Sequence, residues 1–264
     1  MPHPFFEVGR PIVLGHRGSA GTHPENTLES FAAALEQGAH ILESDVHVTR
    51  DGIPILLHDP GVERVTQGTG EAAQLRFEEL QTLDAGYRFL DAQGEHSARG
   101  QGHRIPSLEE AFARFPEARF NLEIKCRSLS AIQTTLDLVE RFDRSDRTLL
   151  AAGEDDIMRD LRRAVSRHTA EPAMGASLGE IVAAITSALG QGPMPEGVMA
   201  LQIPAEFADR PLATTELIEH AHAHGVDVHV WTINDLSEIE TLLARGVDGI
   251  VTDLPGQLAG WLAR

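Results

Sequence analysis

Short runs rich in Val, Ile and Leu recur along the chain. Each is followed by a longer stretch in which apolar residues return every three or four positions. The first kind of run reads as a buried strand and the second as an amphipathic helix, so their alternation signals parallel βα units. Strands are expected at Pro11–His16, Ile41–Thr49, Arg119–Lys125, Thr148–Ala152, Ala173–Ala176, Met199–Ile203, Val226–Thr232 and Gly249–Thr252. Helices are expected at Thr27–Gln37, Ser107–Arg114, Ser130–Phe142, Asp155–Arg167, Leu178 to about Leu189, Thr214 to about His224, Asp235–Arg245 and from Pro255 onward. Thr27 serves as N-cap of the first helix and Gly38 as its stop, while Pro106-Ser107 opens the second. Eight units of each kind favour one closed (β/α)8 TIM barrel over residues 1–264. An open doubly wound sheet finds no support, because the chain has neither a Gly-rich dinucleotide fingerprint nor a P-loop.

One stretch breaks the rhythm. Asp51-Gly52 makes a turn, and Ile53–Leu57 returns as a short extended piece that ends at His58. Residues from about 60 to 105 then run on where a barrel needs only a few linking residues. The amphipathic stretch Leu75–Leu83, with Tyr87, Phe89 and Leu90, predicts a small ordered insertion over the barrel mouth. Gln93–Gln101, rich in Gly and charge, reads as mobile.

Composition and charge narrow the class. The chain has 22 Lys+Arg against 40 Asp+Glu, a formal charge of −18, which disfavours a nucleic-acid or anionic-membrane partner. An anionic small-molecule substrate then needs a local cationic site. Cys126 is the single cysteine, which excludes an intramolecular disulfide and a Cys-based metal site and reads as a packing thiol. The start, Met1 to Arg10, lacks a basic segment followed by an apolar one, and no apolar run approaches 18 residues. A cytoplasmic protein with no stable membrane association is expected, as a monomer or homodimer.

Polar residues in the strands carry the functional signal. Strand side chains alternate, so Glu43 and Asp45 share one face of the second strand, and Glu123 and Lys125 share one face of the third. Three acids and a base pointing into a core are costly unless something pairs them. A structural ion pair explains any one of them; a divalent cation holding an anionic substrate explains all. Oxygen donors suit Mg²⁺ or Ca²⁺, with Mn²⁺ also compatible. Lys125 faces either the carboxylates or a substrate phosphate, and Arg17 reads as a phosphate clamp, the alternative being a loop salt bridge.

His16 and His58 end the first strand and the extended piece, at the rim where barrel enzymes place their sites. Phosphodiester cleavage needs one group to deprotonate a nucleophile and another to protonate the leaving oxygen, and imidazole serves both. Trp231, at the end of the seventh strand, reads as a ligand-pocket wall, with His229 just below it. Gln202 is a weaker candidate for the same pocket. His47 reads as a spectator, and Asp253 as a turn or N-cap acid for the last helix.

These blocks resemble the glycerophosphodiester phosphodiesterase family. The matching residues are Gly15-His16-Arg17-Gly18, His23-Pro24-Glu25-Asn26-Thr27, Glu43-Ser44-Asp45-Val46, Asp51-Gly52 and Leu57-His58-Asp59. They continue with Arg64-Val65-Thr66, Gly68-Thr69-Gly70, Ile105 to Glu110, Asn121 to Lys125, Val230 to Asn234 and Gly246 to Asp253. The resemblance implies metal ligands at Glu43, Asp45 and Glu123, an acid/base pair at His16 and His58, and phosphate contacts at Arg17 and Lys125. It also implies hydrolysis of glycerophosphodiesters to sn-glycerol 3-phosphate and an alcohol such as choline or ethanolamine, with the insertion shaping the entrance. A lysophospholipase D-type activity on acylated substrates is the rival within enzymes. It needs an apolar trough, which the insertion does not offer, so deacylated diesters are expected. A non-catalytic phosphoester-binding barrel is the rival from another class, but neither histidine and none of the three acids is missing.

Overall fold

Parallel strands arranged around one axis carry the site on their carboxyl ends, in a computed structural model that describes residues 3–264. Met1, part of the N-terminal segment read above for a leader, lies outside the described residues. In chain order the strands are β1 (Ile12–Gly15), β2 (Ile41–Val48), β3 (Pro54–Leu56), β4 (Arg119–Ile124), β5 (Thr148–Ala151) and β6 (Ala173–Met174). They continue with β7 (Ala200–Pro204), β8 (Glu206–Phe207), β9 (Arg210–Pro211), β10 (Asp227–Trp231) and β11 (Gly249–Thr252). The helices are α1 (Leu28–Glu36), α2 (Phe77–Leu80), α3 (Leu108–Arg114), α4 (Leu129–Arg141) and α5 (Asp155–Val165). After them come α6 (Leu178–Ala188), α7 (Thr215–Ala223), α8 (Leu236–Ala244) and α9 (Pro255–Leu262).

The hydrogen-bonded order is β6-β5-β4-β2-β1-β11-β10-β7, eight parallel strands, with β3 antiparallel to β2. Between β6 and β7 the Met199 amide donates to the Met174 carbonyl at 2.9 Å, which nearly closes the ring. This is the TIM barrel that the alternation predicts. The expected caps are also found: the Thr27 side chain accepts from the Ser30 amide, and Gly38 follows α1 at φ +95°. Ser107 and Glu110 form a reciprocal capping box on α3. No described helix is long and apolar enough to cross a membrane.

Each strand divides the barrel into an outer and an inner column of side chains. Outward-facing Val13, Leu42, Leu122 and Leu150 pack under the helices, with Phe31, Phe112 and Phe120 meeting edge to face. The inner column changes character along the axis. At the floor Ile12, Ile41, Leu149 and Ala200 pack on Phe5 and Phe6, which the 3₁₀ turn Pro4–Phe6 folds beneath the strands. Two to four residues further along the same strands stand His16, Glu43, Asp45 and Gln202. The period of two thus carries one face from an apolar plug to a polar mouth.

Between β3 and α3 the chain forms a small apolar cluster of its own, in which Val62, Val65, Leu80 and Ile105 pack on Ile55 and Leu57. The stretch expected to be mobile is held by defined contacts. Asp91 Oδ1 accepts from the Gln93 and Glu95 amides at 2.9 Å, Arg99 lies over the Tyr87 ring at 4.1 Å, and the Gly100 amide donates to Asp84 at 2.7 Å. One element had no sequence signal. The hairpin β8–β9 turns through Ala208 and Asp209, both at positive φ (50° and 59°), a conformation usually left to Gly or Asn.

Candidate active site

Strand register builds the acidic part of the site. β2 and β4 pair with Glu43 opposite Asn121 and Asp45 opposite Glu123, so the three inward acids are neighbours across one ladder. His16 continues β1 by donating its amide to the Thr252 carbonyl at 2.9 Å. The chain then turns sharply through Arg17 (φ 50°) and Gly18 (φ 90°). A Cβ on Gly18 would lie 2.6 Å from the Ser30 backbone carbon, so only Gly fits this close approach of loop to α1. The turn aims the Arg17 amide at Glu43 Oε2 (3.1 Å) and its guanidinium at Glu25 Oε1 (2.9 Å).

Each candidate acid/base imidazole is held at Nδ1 by a carboxylate. His16 Nδ1 donates to Asp253 Oδ1 at 2.7 Å, and His58 Nδ1 donates to Asp59 Oδ1 at 2.6 Å. The carboxylates accept only, so the Nδ1 positions carry protons and each Nε2 remains for chemistry. Asp253 is fixed in turn by Asn234, which donates to Oδ2 at 2.7 Å and accepts from the Asp253 amide at 2.9 Å. Asp59 Oδ2 accepts from Arg64 Nε, and the Arg64 fork grips Glu25 at 2.6 and 2.8 Å. Glu25 therefore joins Arg17 to Arg64, and through Asp59 to His58. His47 also has a task, because its Nε2 donates to the His58 carbonyl at 3.0 Å.

The acids are already engaged by cations. Lys125 Nζ lies 2.8 Å from Glu123 Oε2 and 3.3 Å from Asp45 Oδ1, and Arg17 Nε is 3.6 Å from Asp45 Oδ2. Asn26, at φ 56°, donates to Asp45 Oδ2 at 3.3 Å and accepts from Ser44 at 2.6 Å. Glu43 has no ammonium or guanidinium of its own among the described residues. Burial and the charge of Asp45 push its carboxyl up to about 7. Burial pulls the His16 imidazole down, but the Asp253 hydrogen bond and the Glu43 charge outweigh it, and the net shift is upward. Burial also opposes ionisation of Glu25, yet its bonds to Arg64 and Arg17 carry its pKa below the usual carboxylate range. Lys125 is likewise raised, the charges of Glu123 and Asp45 overcoming burial.

His16, Arg17, Glu43, Asp45, His58, Glu123, Lys125 and Trp231 all line one cavity of about 500 Å³, and Gln202 reaches it too. Among the described residues no three His, Cys, Asp or Glu side chains converge as a formed ligand cluster, because Lys125 stands between Asp45 and Glu123. The donors nevertheless fit a hard divalent ion: they are all carboxylates, adjacent by register, and one of them is buried beside a like charge without a counterion. His229 lies below Trp231 as expected, fully buried against Phe6.

One reading is corrected. Asp253 does not cap the last helix, whose N-cap is Leu254 and which has no side-chain cap; Asp253 turns back to His16 instead. Asp59, Glu25 and Arg64 stood in recognisable blocks, but spacing alone gave none of them a role. Only the pairing of β11 with β1, and the fold of the insertion, bring these groups to the histidines.

Comparison with known proteins places these observations. The model of the Glycerophosphoryl diester phosphodiesterase family matches residues 16–257. A Mycobacterium tuberculosis protein described as a probable glycerophosphodiester phosphodiesterase 2 is 31% identical over 256 residues, covering 94% of this chain and 89% of its own. A solved phosphodiesterase domain from the same organism superposes with a TM-score of 0.84 at 20% identity over 96% of this chain and 100% of its own, a likeness of fold. A phosphodiesterase from Oleispira antarctica, solved with the product sn-glycerol-3-phosphate, is 26% identical with a TM-score of 0.77, covering 96% of this chain and 97% of its own. The match spans both strand ends that carry the histidines and all three acids, and the chain accordingly belongs to the glycerophosphoryl diester phosphodiesterase family, a family of hydrolases.

Proposed function

We propose that this enzyme hydrolyses glycerophosphodiesters such as glycerophosphocholine or glycerophosphoethanolamine to sn-glycerol 3-phosphate and the free alcohol. The observation that carries the reading is the pair of imidazoles, each tied at Nδ1 to an aspartate and lining one cavity with Arg17, Lys125 and three carboxylates. The whole chain acts as one catalytic unit, in which the insertion of residues 60–105 braces the rim through Arg64, bonded to Asp59 and Glu25.

In the reaction, one imidazole Nε2 takes the proton of the glycerol 2-hydroxyl as its oxygen bonds to phosphorus. The other gives a proton to the leaving oxygen as the bond from phosphorus to the alcohol breaks. Water then opens the cyclic phosphate with the proton roles reversed. Direct attack by water uses the same two groups. Arg17 and Lys125 supply positive charge for the phosphate oxygens, and Trp231 walls the bound substrate. Divalent-metal dependence is a property of the family. Glu43, Asp45 and Glu123 would hold the ion, Mg²⁺ or Ca²⁺ with Mn²⁺ also accepted, and the ion would stabilise charge developing on the phosphate. With an ion on those acids, Lys125, which now lies 2.8 Å from Glu123 and 3.3 Å from Asp45, would be available to the phosphate.

The test is turnover of glycerophosphocholine by His16→Ala and His58→Ala, read by coupled detection of glycerol 3-phosphate. Each is expected to lose about 100- to 10,000-fold in kcat with the fold intact. Near-native kcat in either variant would remove that histidine from the acid/base pair.

A further inference from the structure

Asn121 is a polar side chain of the cavity to which the reaction above gives no task. It is only 4% exposed, it lines the cavity, and its Oδ1 is buried without a hydrogen-bond partner among the described residues. On β4 it stands one inward step below Glu123, about 6–7 Å along the strand. Across the ladders it faces Glu43 of β2 on one side and Leu149 of β5 on the other. Leu149 offers no polar atom, and Glu43 Oε2 is taken up by the Arg17 amide at 3.1 Å. A buried carboxamide that stays unpaired costs the desolvation of its polar atoms, so an orphan beside a reaction site points to a ligand.

The parts of the substrate differ in what they can give such a group. A phosphodiester oxygen has no proton, and a choline headgroup has no N–H. An ethanolamine ammonium donates, but a site that serves both leaving alcohols cannot depend on it. The glycerol carries two hydroxyls, and the reaction uses the 2-hydroxyl as nucleophile. The distal primary hydroxyl remains. It both donates and accepts, and therefore suits a carboxamide whichever end, oxygen or NH₂, is turned toward it. The shape of the cavity gives the same direction. Asn121 lies on its enclosed, charged side, whereas Leu178, Val182 and Phe207 also line it but are apolar and exposed. An alcohol of variable size fits the open side, and the glycerol common to these substrates fits the enclosed one.

We infer that Asn121 is a specificity-determining residue that hydrogen-bonds the distal primary hydroxyl of the substrate's glycerol. The inference rests on the phosphodiesterase reading above and adds to it which group of the substrate is read, and by which side chain. The bonds made and broken are those of the parent reaction.

The experiment compares two substrates that both keep the 2-hydroxyl. One is glycerophosphocholine; the other is the phosphocholine diester of propane-1,2-diol, joined through its primary oxygen in the matching configuration, which lacks only the distal hydroxyl. Choline release reads both. In the native enzyme kcat/KM is expected to be roughly 5- to 150-fold lower for the deoxy substrate, because the amide is then left without a partner. In Asn121→Leu, which is similar in size, and in Asn121→Ala, the two substrates should come within about threefold of each other, mainly through loss on glycerophosphocholine. A measurement on the native protein needs no substitution: the Asn121 side-chain NH₂ signals in ¹⁵N NMR should shift more with sn-glycerol 3-phosphate than with its deoxy analogue. Equal kcat/KM on the two substrates in the native enzyme, or equal NMR shifts from the two ligands, would overturn the inference and leave the parent activity standing. A variant that loses the same factor on both substrates would also overturn it, since that is the mark of a structural role. So would one that raises the metal concentration for half-activation with the substrate ratio intact, which assigns the amide to the ion. Absence of choline release from either substrate by the native enzyme would overturn the phosphodiesterase reading together with the inference.

Discussion

Replacing Asp253 by an asparagine separates a positioning carboxylate from a helix-end acid. The side chain is nearly isosteric, so the 2.7 Å contacts to His16 and Asn234 can both be re-formed in outline. Their polarity cannot. The carboxamide of the Asp253→Asn variant has one oxygen, and if that oxygen stays on Asn234 the NH₂ group faces His16 Nδ1 and drives the imidazole proton to Nε2. That is the wrong tautomer for a group that must accept a proton at Nε2. A hydrogen bond to a charged partner contributes about 1.5–3 kcal/mol, and about 1.36 kcal/mol is a factor of ten in rate, so kcat should fall roughly 10- to 150-fold. Both side chains are largely shielded (18% and 27% exposed), so screening takes little from this figure. The His16 pKa should also move down, because the Asp253 bond is a chief cause of its upward shift. The kcat/KM profile against pH, with an NMR titration of His16, reads both effects. Wild-type kcat with an unmoved His16 titration would show that Asp253 only shapes the loop before α9.

Other outcomes follow from the same geometry. Chelation should abolish turnover and added Mg²⁺, Ca²⁺ or Mn²⁺ restore it, while Glu123→Gln should raise the metal concentration needed for half-activation about tenfold or more; full activity in excess chelator would exclude the ion. Glu25→Gln should lower stability by about 1–2 kcal/mol near neutral pH, discounted for the half-exposed Arg64. Because Glu25 titrates below its unfolded value, that contribution is present above the usual carboxylate pKa and is lost as pH falls through the depressed one, so denaturation curves of the two proteins should converge in acid. Phe120→Ala opens a cavity among Phe31, Phe112 and Arg144, and should cost about 3–5 kcal/mol, read as a fall in Tm of roughly 6–20 °C.

The barrel was legible because period-two and period-3.6 patterns are local, and every expected strand and helix has a counterpart, differing mainly at its ends. Glu43, Asp45, Glu123 and Lys125 were legible for the same reason: polar groups on an inward face of a buried strand are locally anomalous. Asp253 was not, since an acid two residues before Pro255 has the local signature of a cap. Its partner His16 is 237 positions away and becomes a neighbour only through the β1–β11 ladder. Glu25 and Arg64, 39 positions apart, escaped similarly. The part of α6 that lines the cavity, Leu178, Ile181, Val182 and Ile185, was hidden by a different ambiguity. The run Leu178-Gly-Glu-Ile-Val-Ala-Ala-Ile reads as a core helix, and no pattern tells which of its faces meets a neighbour and which meets the mouth.

Arg64 sets a limit on how freely this enzyme can be altered by exchanging its long loop. The residue belongs to the insertion, yet two carboxylates of the barrel rim, Glu25 and Asp59, take their countercharge from it. A transplanted loop without an arginine at that point would leave both acids beside His58 and Arg17 with less to hold them, and would disturb that rim while changing only the outer surface in outline. The insertion is therefore not a detachable lid. Its exchange between relatives is a two-part graft, the new surface together with the guanidinium that wires it to the barrel.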